Sequence, residues 1–335
     1  TRRLSCAVAQ LMVVCGSQLA LDLCARLLVD PGDAVVVENP GYRMAHHAFE
    51  AYGARLLCAE VDAHGLRTEQ LDALDPQGAA RLVYVTPTHQ FPLGAFLPIA
   101  RRQALLAWAA QRRAWVVEDD YDSEYRYTVR PEATLQSLDR HASVLHVGTF
   151  SKTLSPQLRL GYLVLPPSLV DTFSAARRVT DRHAATGVQR ALARLLEDGS
   201  HDRHVRRMRR LQQARQHALL DALNRQFGAD VAIEGAASGL HLVAWFRGLP
   251  ASAEPALVRA GRERGVRVYP LSPLFHPSTR TPQAESARPA GLVMGYALLD
   301  AQAIETGVQR LAGAVAAVMA SRLPDQTRST TSAMP

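Results

Sequence analysis

The 335-residue chain has almost no lysine. Its 38 basic residues are 37 arginines and Lys152. Cysteine is also scarce: Cys6, Cys15, Cys24 and Cys58 all fall in the first 58 residues without a C-x-x-C spacing. Such spacing excludes a zinc framework and a disulfide scaffold, and leaves reduced, mostly packed thiols. Aromatic residues make up 6% of the chain. No run of about 18 apolar residues occurs, and the N-terminus lacks the ordered regions of a secretory signal, so a soluble, cytoplasmic protein with no membrane contact is expected. Position 1 is threonine rather than methionine, which leads us to expect a fragment or a processed product.

What is present is enough for a sizeable core, with 47% hydrophobic and 21% charged residues. The length suits a large domain plus a smaller one. A net charge of +7 raises the question of nucleic acid, but most arginines are interleaved with acids at helical spacing, as on solvated faces. The densest basic run, HDRHVRRMRRLQQARQ at 201–216, sets Val205, Met208, Leu211 and Gln212 on one stripe and reads as an amphipathic surface helix.

After an ill-defined start, GSQLALDLCARLLVD (16–30) reads as a helix opened at Gly16-Ser17 and stopped at Pro31-Gly32. β-rich runs follow at 34–38, 54–60, 81–85, 114–118, 143–147 and 161–165, with a helical pattern at 99–113. Strands apolar on both faces that alternate with helices indicate a mainly parallel α/β sheet. Beyond about residue 185 the pattern changes to long helices at 186–197 and 203–227. Next come VAIEG, GLHLVAW, a helix near 254–264, VRVYP, GLVMGYA and a last helix near 300–320, an α+β arrangement. We therefore expect a large domain over 1–185, a small one over 186–320 and a disordered tail at 321–335.

Ligands of open α/β sheets bind at the carboxyl ends of strands. Three such ends carry reactive groups: Thr86-Pro87-Thr88-His89, Glu118-Asp119-Asp120-Tyr121, and Thr149-Phe150-Ser151-Lys152. A lysine beside hydroxyls at a strand-to-loop turn can act as a Schiff-base nucleophile. Arginine cannot, because its guanidinium stays protonated. Ser17 and Gln18 open a helix whose free N–H groups suit an anion.

The segment TFSK with Arg159, Gly161 and Tyr162 resembles the cofactor-lysine segment of fold type I pyridoxal-phosphate (PLP) aminotransferases. More narrowly, NPGY, VTPTHQFPLG, VVEDDYDSEYRY and GTFSKTLSPQLRLGYLV are similar to the aminotransferase-like domain of MocR/GabR-type, GntR-family transcriptional regulators, from about Val13 to Ala320. The resemblance implies a seven-stranded-type sheet, an internal aldimine between Lys152 and PLP, and Asp119 paired with the pyridine nitrogen. Asp120 competes for that role; strand alternation favours Asp119 only in part. The resemblance further implies that Tyr121 and His89 lie near the ring's phenolic oxygen and that Tyr42 stacks on the ring. Ser17, Gln18, Thr149, Ser151 and Arg159 would then hold the phosphate.

Where many aminotransferases carry an arginine for the substrate carboxylate, this chain has Val293 in VMGYA, so the clamp is missing or relocated; Arg43, Arg280 and Arg288 are candidate substitutes that read at least as well as solvated arginines. The resemblance thus points to a domain that exchanges its aldimine with an amine or amino-acid effector. The alternative is an active aminotransferase passing an amino group to a 2-oxo acid. A homodimer is implied as well. DNA would be bound through an N-terminal winged helix that this chain does not contain.

Overall fold

The computed structural model describes residues 4–128 and 132–322. It divides into two compact units, one built from Thr1–Gln213, Glu234–Leu242 and Leu274–Pro277, the other from Ala214–Ile233, Val243–Pro273 and Ser278–Pro335. The pattern change near residue 185 marks the onset of long helices. The exchange between units falls later, inside the continuous helix Ser200–Phe227.

In the first unit, strands β1 (Leu11–Val14), β2 (Ala34–Asn39), β3 (Arg55–Asp62), β4 (Gly65–Leu66), β5 (Ala80–Val85), β6 (Trp115–Asp120), β7 (Val144–Thr149) and β8 (Gly161–Val164) form one sheet. Their order is β1-β8-β7-β6-β5-β2-β3-β4. The five neighbours from β7 to β3 are parallel, while β8 runs antiparallel to β7 and β1, and the two-residue β4 is antiparallel to β3. The α/β class with a mainly parallel sheet holds, with β4 as an eighth strand.

Both faces are covered, which is why the parallel strands read as unbroken apolar runs. On one face Val35, Val37, Leu82, Tyr84, Val117, Leu145 and Val147 pack with Leu21, Cys24 and Leu28 of the helix Ser17–Leu28 and with Phe173. On the other, Val36, Val83, Val85, Val116 and Val144 pack with Leu105, Trp108 and Ala109 of the helix Ile99–Arg112.

A four-stranded sheet, most of whose residues belong to the second unit, consists of β9 (Val231–Glu234), β10 (His241–Pro250), β11 (Tyr269–Pro270) and β12 (Pro289–Gly295), in the order β11-β12-β10-β9. The helices Glu254–Glu263 and Ala301–Arg322 complete that unit. Buried Glu254 ties it together by accepting hydrogen bonds from the backbone N–H groups of Ser272 and Gly291 at 2.8 and 3.0 Å.

Of the expected tail, Ser321 and Arg322 close the last helix, and residues 323–335 lie outside the described residues. No helix among the described residues is long and apolar enough to cross a membrane. All four cysteines are free; Cys24 is buried, Cys15 and Cys58 are partly packed, and Cys6 is exposed.

Candidate cofactor site

Strands β5, β6 and β7 are adjacent and parallel, so the residues after each arrive at the same edge of the sheet. Side chains on a strand alternate between faces, and this separates the two aspartates that follow Glu118. Asp119 follows Val117 on the face covered by the helix Ser17–Leu28. There it is buried and its Oδ2 accepts a 2.8 Å hydrogen bond from the Tyr84 hydroxyl. Its charge adds to burial in raising the pKa of Cys24, Tyr42 and Tyr84, all on that side. Asp120 points to the opposite face, where its Oδ2 accepts from Ser123 Oγ at 2.8 Å. Asp119 is thus the acid on the same side as the helix start.

That helix start has features that suit an anion. Gly16 has φ of 86°, a left-handed conformation suited to glycine, and delivers the chain into the helix with no acidic residue in its first turn. The Arg159 guanidinium lies flat against it: a Cβ on Gly16 would stand 3.3 Å from three guanidinium atoms. Arg159 Nη2 donates to the Cys15 carbonyl at 2.9 Å, which aims the fork at the helix terminus. Gly161 is pressed between segments, since a Cβ there would meet Gly148 O at 2.9 Å, Gly16 C at 3.1 Å and Ser17 N at 3.2 Å. The start of β8, the end of β7 and the helix N-terminus are therefore in direct backbone contact. Gln18 turns its side-chain amide to the Met44 carbonyl, 3.2 Å away, so its contribution to the helix start is its backbone N–H.

The lysine segment adjoins that helix start. Thr149 ends β7, is buried, and accepts the Ser151 N–H at Oγ1 over 3.1 Å. Lys152 sits in the following turn with its side chain exposed and its carbonyl accepting from the Tyr125 hydroxyl at 2.9 Å. The turn is pinned by its backbone, which leaves the amine free to reach a ligand.

The remaining wall is aromatic. Tyr42, just before the helix Arg43–Glu50, meets Phe91 edge-on at 5.7 Å between ring centroids, and Phe91 meets Tyr121 at 6.3 Å. The Tyr121 hydroxyl lies 3.0 Å from His89 Nδ1, which also lies 2.9 Å from Asp122 Oδ2. His241 packs 4.9 Å from the His89 ring, and its Nε2 donates to the Pro92 carbonyl at 3.0 Å. Burial lowers the His241 pKa to about 3, so this imidazole is neutral. Ligand atoms of His89, Asp122 and His241 lie within 4.8 Å of one another, a spacing a metal ion could use. Here these groups are engaged in hydrogen bonds instead.

The structure thus brings Ser17, Gln18, Thr149, Ser151, Lys152 and Arg159 together on one side, and Tyr42, His89 and Tyr121 on the aromatic side, with Asp119 on the shared sheet face. Tyr84, Phe91, Asp122 and His241 were not anticipated. Phe91 and Asp122 lie within motifs quoted above, whereas Tyr84 needs the β5–β6 register and His241 opens β10, far away in sequence. Each substitute for a carboxylate clamp has a partner: Arg43 Nη1 lies 3.0 Å from His46 Nδ1, Arg280 pairs with Glu285 at 2.9 Å, and Arg288 donates to Ser272 Oγ at 2.8 Å. Val293 pairs with Tyr269 in the second unit.

The donor set fits a ligand that carries a phosphate, an aromatic ring with a basic nitrogen, and a group that reacts with an amine. A glycine-lined helix start with an arginine fork suits the phosphate. A buried acid suits a protonated ring nitrogen, and a lone lysine suits the electrophile.

Comparison with known proteins agrees with this set. The sequence model of the family "Aminotransferase class I and II" matches residues 3–281. The chain is 37% identical over 321 residues to the probable rhizopine catabolism regulatory protein MocR of Rhizobium meliloti, covering 96% of this chain and 62% of that protein. It is 30% identical over 317 residues to a 2-aminoadipate transaminase of Thermus thermophilus, covering 93% and 76%. Among solved structures, the α-aminoadipate aminotransferase LysN of Thermus thermophilus, complexed with N-(5'-phosphopyridoxyl)-L-leucine, superposes with a TM-score of 0.83 at 30% identity, covering 93% of this chain and 78% of that one. The chain spans 62–65% of the length of the first curated regulators it matches.

Proposed function

Because the chain belongs to the aminotransferase class I and II family, we propose that it is the PLP-binding, effector-sensing domain of a MocR-type transcriptional regulator. PLP is its cofactor, and when bound it supplies an aldehyde that condenses with amines and a ring that accepts electron density. The chain's own residues do the rest. Lys152 provides the amine that holds the cofactor and is displaced by an incoming one. Asp119, fixed by Tyr84, keeps a proton on the ring nitrogen. The N–H groups of Ser17 and Gln18, with Thr149, Ser151 and Arg159, bind the phosphate. Tyr42 covers the ring, while Tyr121, with His89 behind it, addresses the phenolic oxygen.

The observation that supports the cofactor reading is that Gly161, paired with Thr149 at the end of β7, is pressed against the Gly16–Ser17 helix start, while strand alternation sets Asp119 on the sheet face that this helix covers. Sensing rather than turnover is supported by valine at position 293 and by likeness to regulators over 96% of the chain. The effector class is an amine or amino acid, because only a primary amine can displace Lys152. In the full regulator, DNA would be bound by a separate winged helix, and the domain would act in the cytoplasm as a homodimer.

A second reading, an active aminotransferase, is favoured by the intact set of Lys152, Asp119 and Tyr121 and by likeness to the 2-aminoadipate transaminase. The two separate when the PLP-loaded protein is mixed with an amino-acid panel and a 2-oxo acid. A sensor changes its spectrum once and stops. Sustained turnover at ordinary enzyme rates, about 1 per second or faster, establishes the aminotransferase instead.

A further inference from the structure

Behind the Tyr121 hydroxyl stands a hydrogen-bonded pair whose chemistry allows one arrangement only. His89 is buried, and its Nδ1 lies between Asp122 Oδ2 at 2.9 Å and the Tyr121 oxygen at 3.0 Å. A neutral imidazole nitrogen carries either one hydrogen or one lone pair. Asp122 is itself buried, and a carboxylate can only accept, so Nδ1 must carry the hydrogen. A nitrogen that donates cannot accept from Tyr121, whose own hydrogen is forced to the far side of its oxygen.

The opposite tautomer is penalised by its surroundings. His89 Nε2 is buried without a hydrogen-bond partner, hemmed in by Gly94 and Gly239, where a Cβ would lie 2.8 and 2.7 Å from it. A hydrogen on Nε2 would be a buried, unsatisfied donor. Rotation of the ring is opposed by His241, 4.9 Å away and tied to Pro92. The phenol keeps its proton: burial, then the charges of Asp122, Asp119, Glu38 and Asp120, push the Tyr121 pKa well above its ordinary value.

We infer that Asp122 and His89 are positioning residues that hold Tyr121 as a one-way hydrogen donor, aimed away from the protein wall and toward the phenolic oxygen of the cofactor. The inference rests on the PLP reading above. Asp122→Leu removes the acceptor that holds the hydrogen on Nδ1. That nitrogen is then able to present its lone pair to Tyr121 and draw the hydroxyl hydrogen inward.

The test reads the absorption of PLP bound to Lys152 as a function of pH, without turnover. A hydrogen donated to the phenolic oxygen stabilises its anionic form, so losing it raises the midpoint of the spectral change by about one pH unit. Wild type and Lys152→Ala are compared first; a wild type without the lysine-dependent band sinks the PLP reading itself. Given the band, Asp122→Leu should raise the midpoint as Tyr121→Phe does, and should add nothing in the Tyr121→Phe background. An equal shift in both backgrounds, or no shift in either, overturns the inference and leaves PLP binding standing. Should Asp122→Leu fail to fold, nitrogen NMR of the His89 ring in the PLP-loaded wild type decides: a hydrogen on Nδ1 supports the inference, and a bare lone pair on Nδ1 overturns it.

Discussion

Replacing Arg159 by glutamine tests the phosphate cradle in isolation. The guanidinium stacks on Gly16 and donates once to the Cys15 carbonyl, leaving its other N–H groups at the helix start. Arg159 has φ of 50°, and glutamine meets that backbone conformation with a side chain of similar character, so the turn is not the variable. A charge-assisted hydrogen bond to phosphate contributes about 1.5–3 kcal/mol, and the exposure of Arg159 argues for the lower half of that range. Arg159→Gln should therefore weaken PLP about ten- to thirty-fold, with Arg159→Lys between because it keeps charge but loses the fork. The assay is titration of the apo-protein with PLP and with pyridoxal, which lacks the phosphate, followed by absorption. The loss should appear with PLP and vanish with pyridoxal. Equal loss for both ligands, or none for either, refutes the assignment of Arg159 to the phosphate.

Three further outcomes follow from the geometry. Asp119→Asn should shift the bound-cofactor spectrum and weaken PLP by roughly tenfold or more, whereas Asp120→Asn, on the opposite face, should leave both unchanged; the reverse result would exchange the two roles. Glu38 is buried, accepts from Thr86 Oγ1 at 2.6 Å, and has its pKa raised by burial from the usual 4.5 to about 7. Between those values the unfolded chain releases a proton that the folded chain keeps, so this residue's contribution to stability falls as pH rises. Glu38→Gln should gain on wild type by about 3 kcal/mol from pH 4.5 to 7 and stay level outside that window, as read by denaturant melts at a series of pH values; a constant difference contradicts the raised pKa. The paired shift of Asp122→Leu and Tyr121→Phe completes the set.

The sheet was legible because its parallel strands are apolar on both faces, so Val35 to Val37 or Val116 and Val117 could be nothing else. β1 was not, since Leu11–Val14 is a short edge strand with only Val14 buried. The helix Arg43–Glu50 is hard to read because its eight residues bury a face made of Ala45, His46, Ala48 and Phe49, with a histidine and two small residues among them. VRVYP looked like a full strand, yet only Tyr269–Pro270 pairs. At the site, Lys152, Asp119, Tyr121 and His89 could be found because each follows a strand and strand ends converge. The choice between Asp119 and Asp120 needed the helix on one face. The carboxylate behind His89 needed the path of the chain after β6, and His241 gave no local signal at all.

A single lysine makes the central claim directly measurable. Borohydride reduction of the PLP-loaded protein, followed by peptide mass spectrometry, should place one phosphopyridoxyl group on the peptide that contains Lys152, and Lys152→Ala should carry none. Label on any other amine in wild type, or undiminished labelling of Lys152→Ala, would contradict the assignment of Lys152 as the cofactor lysine.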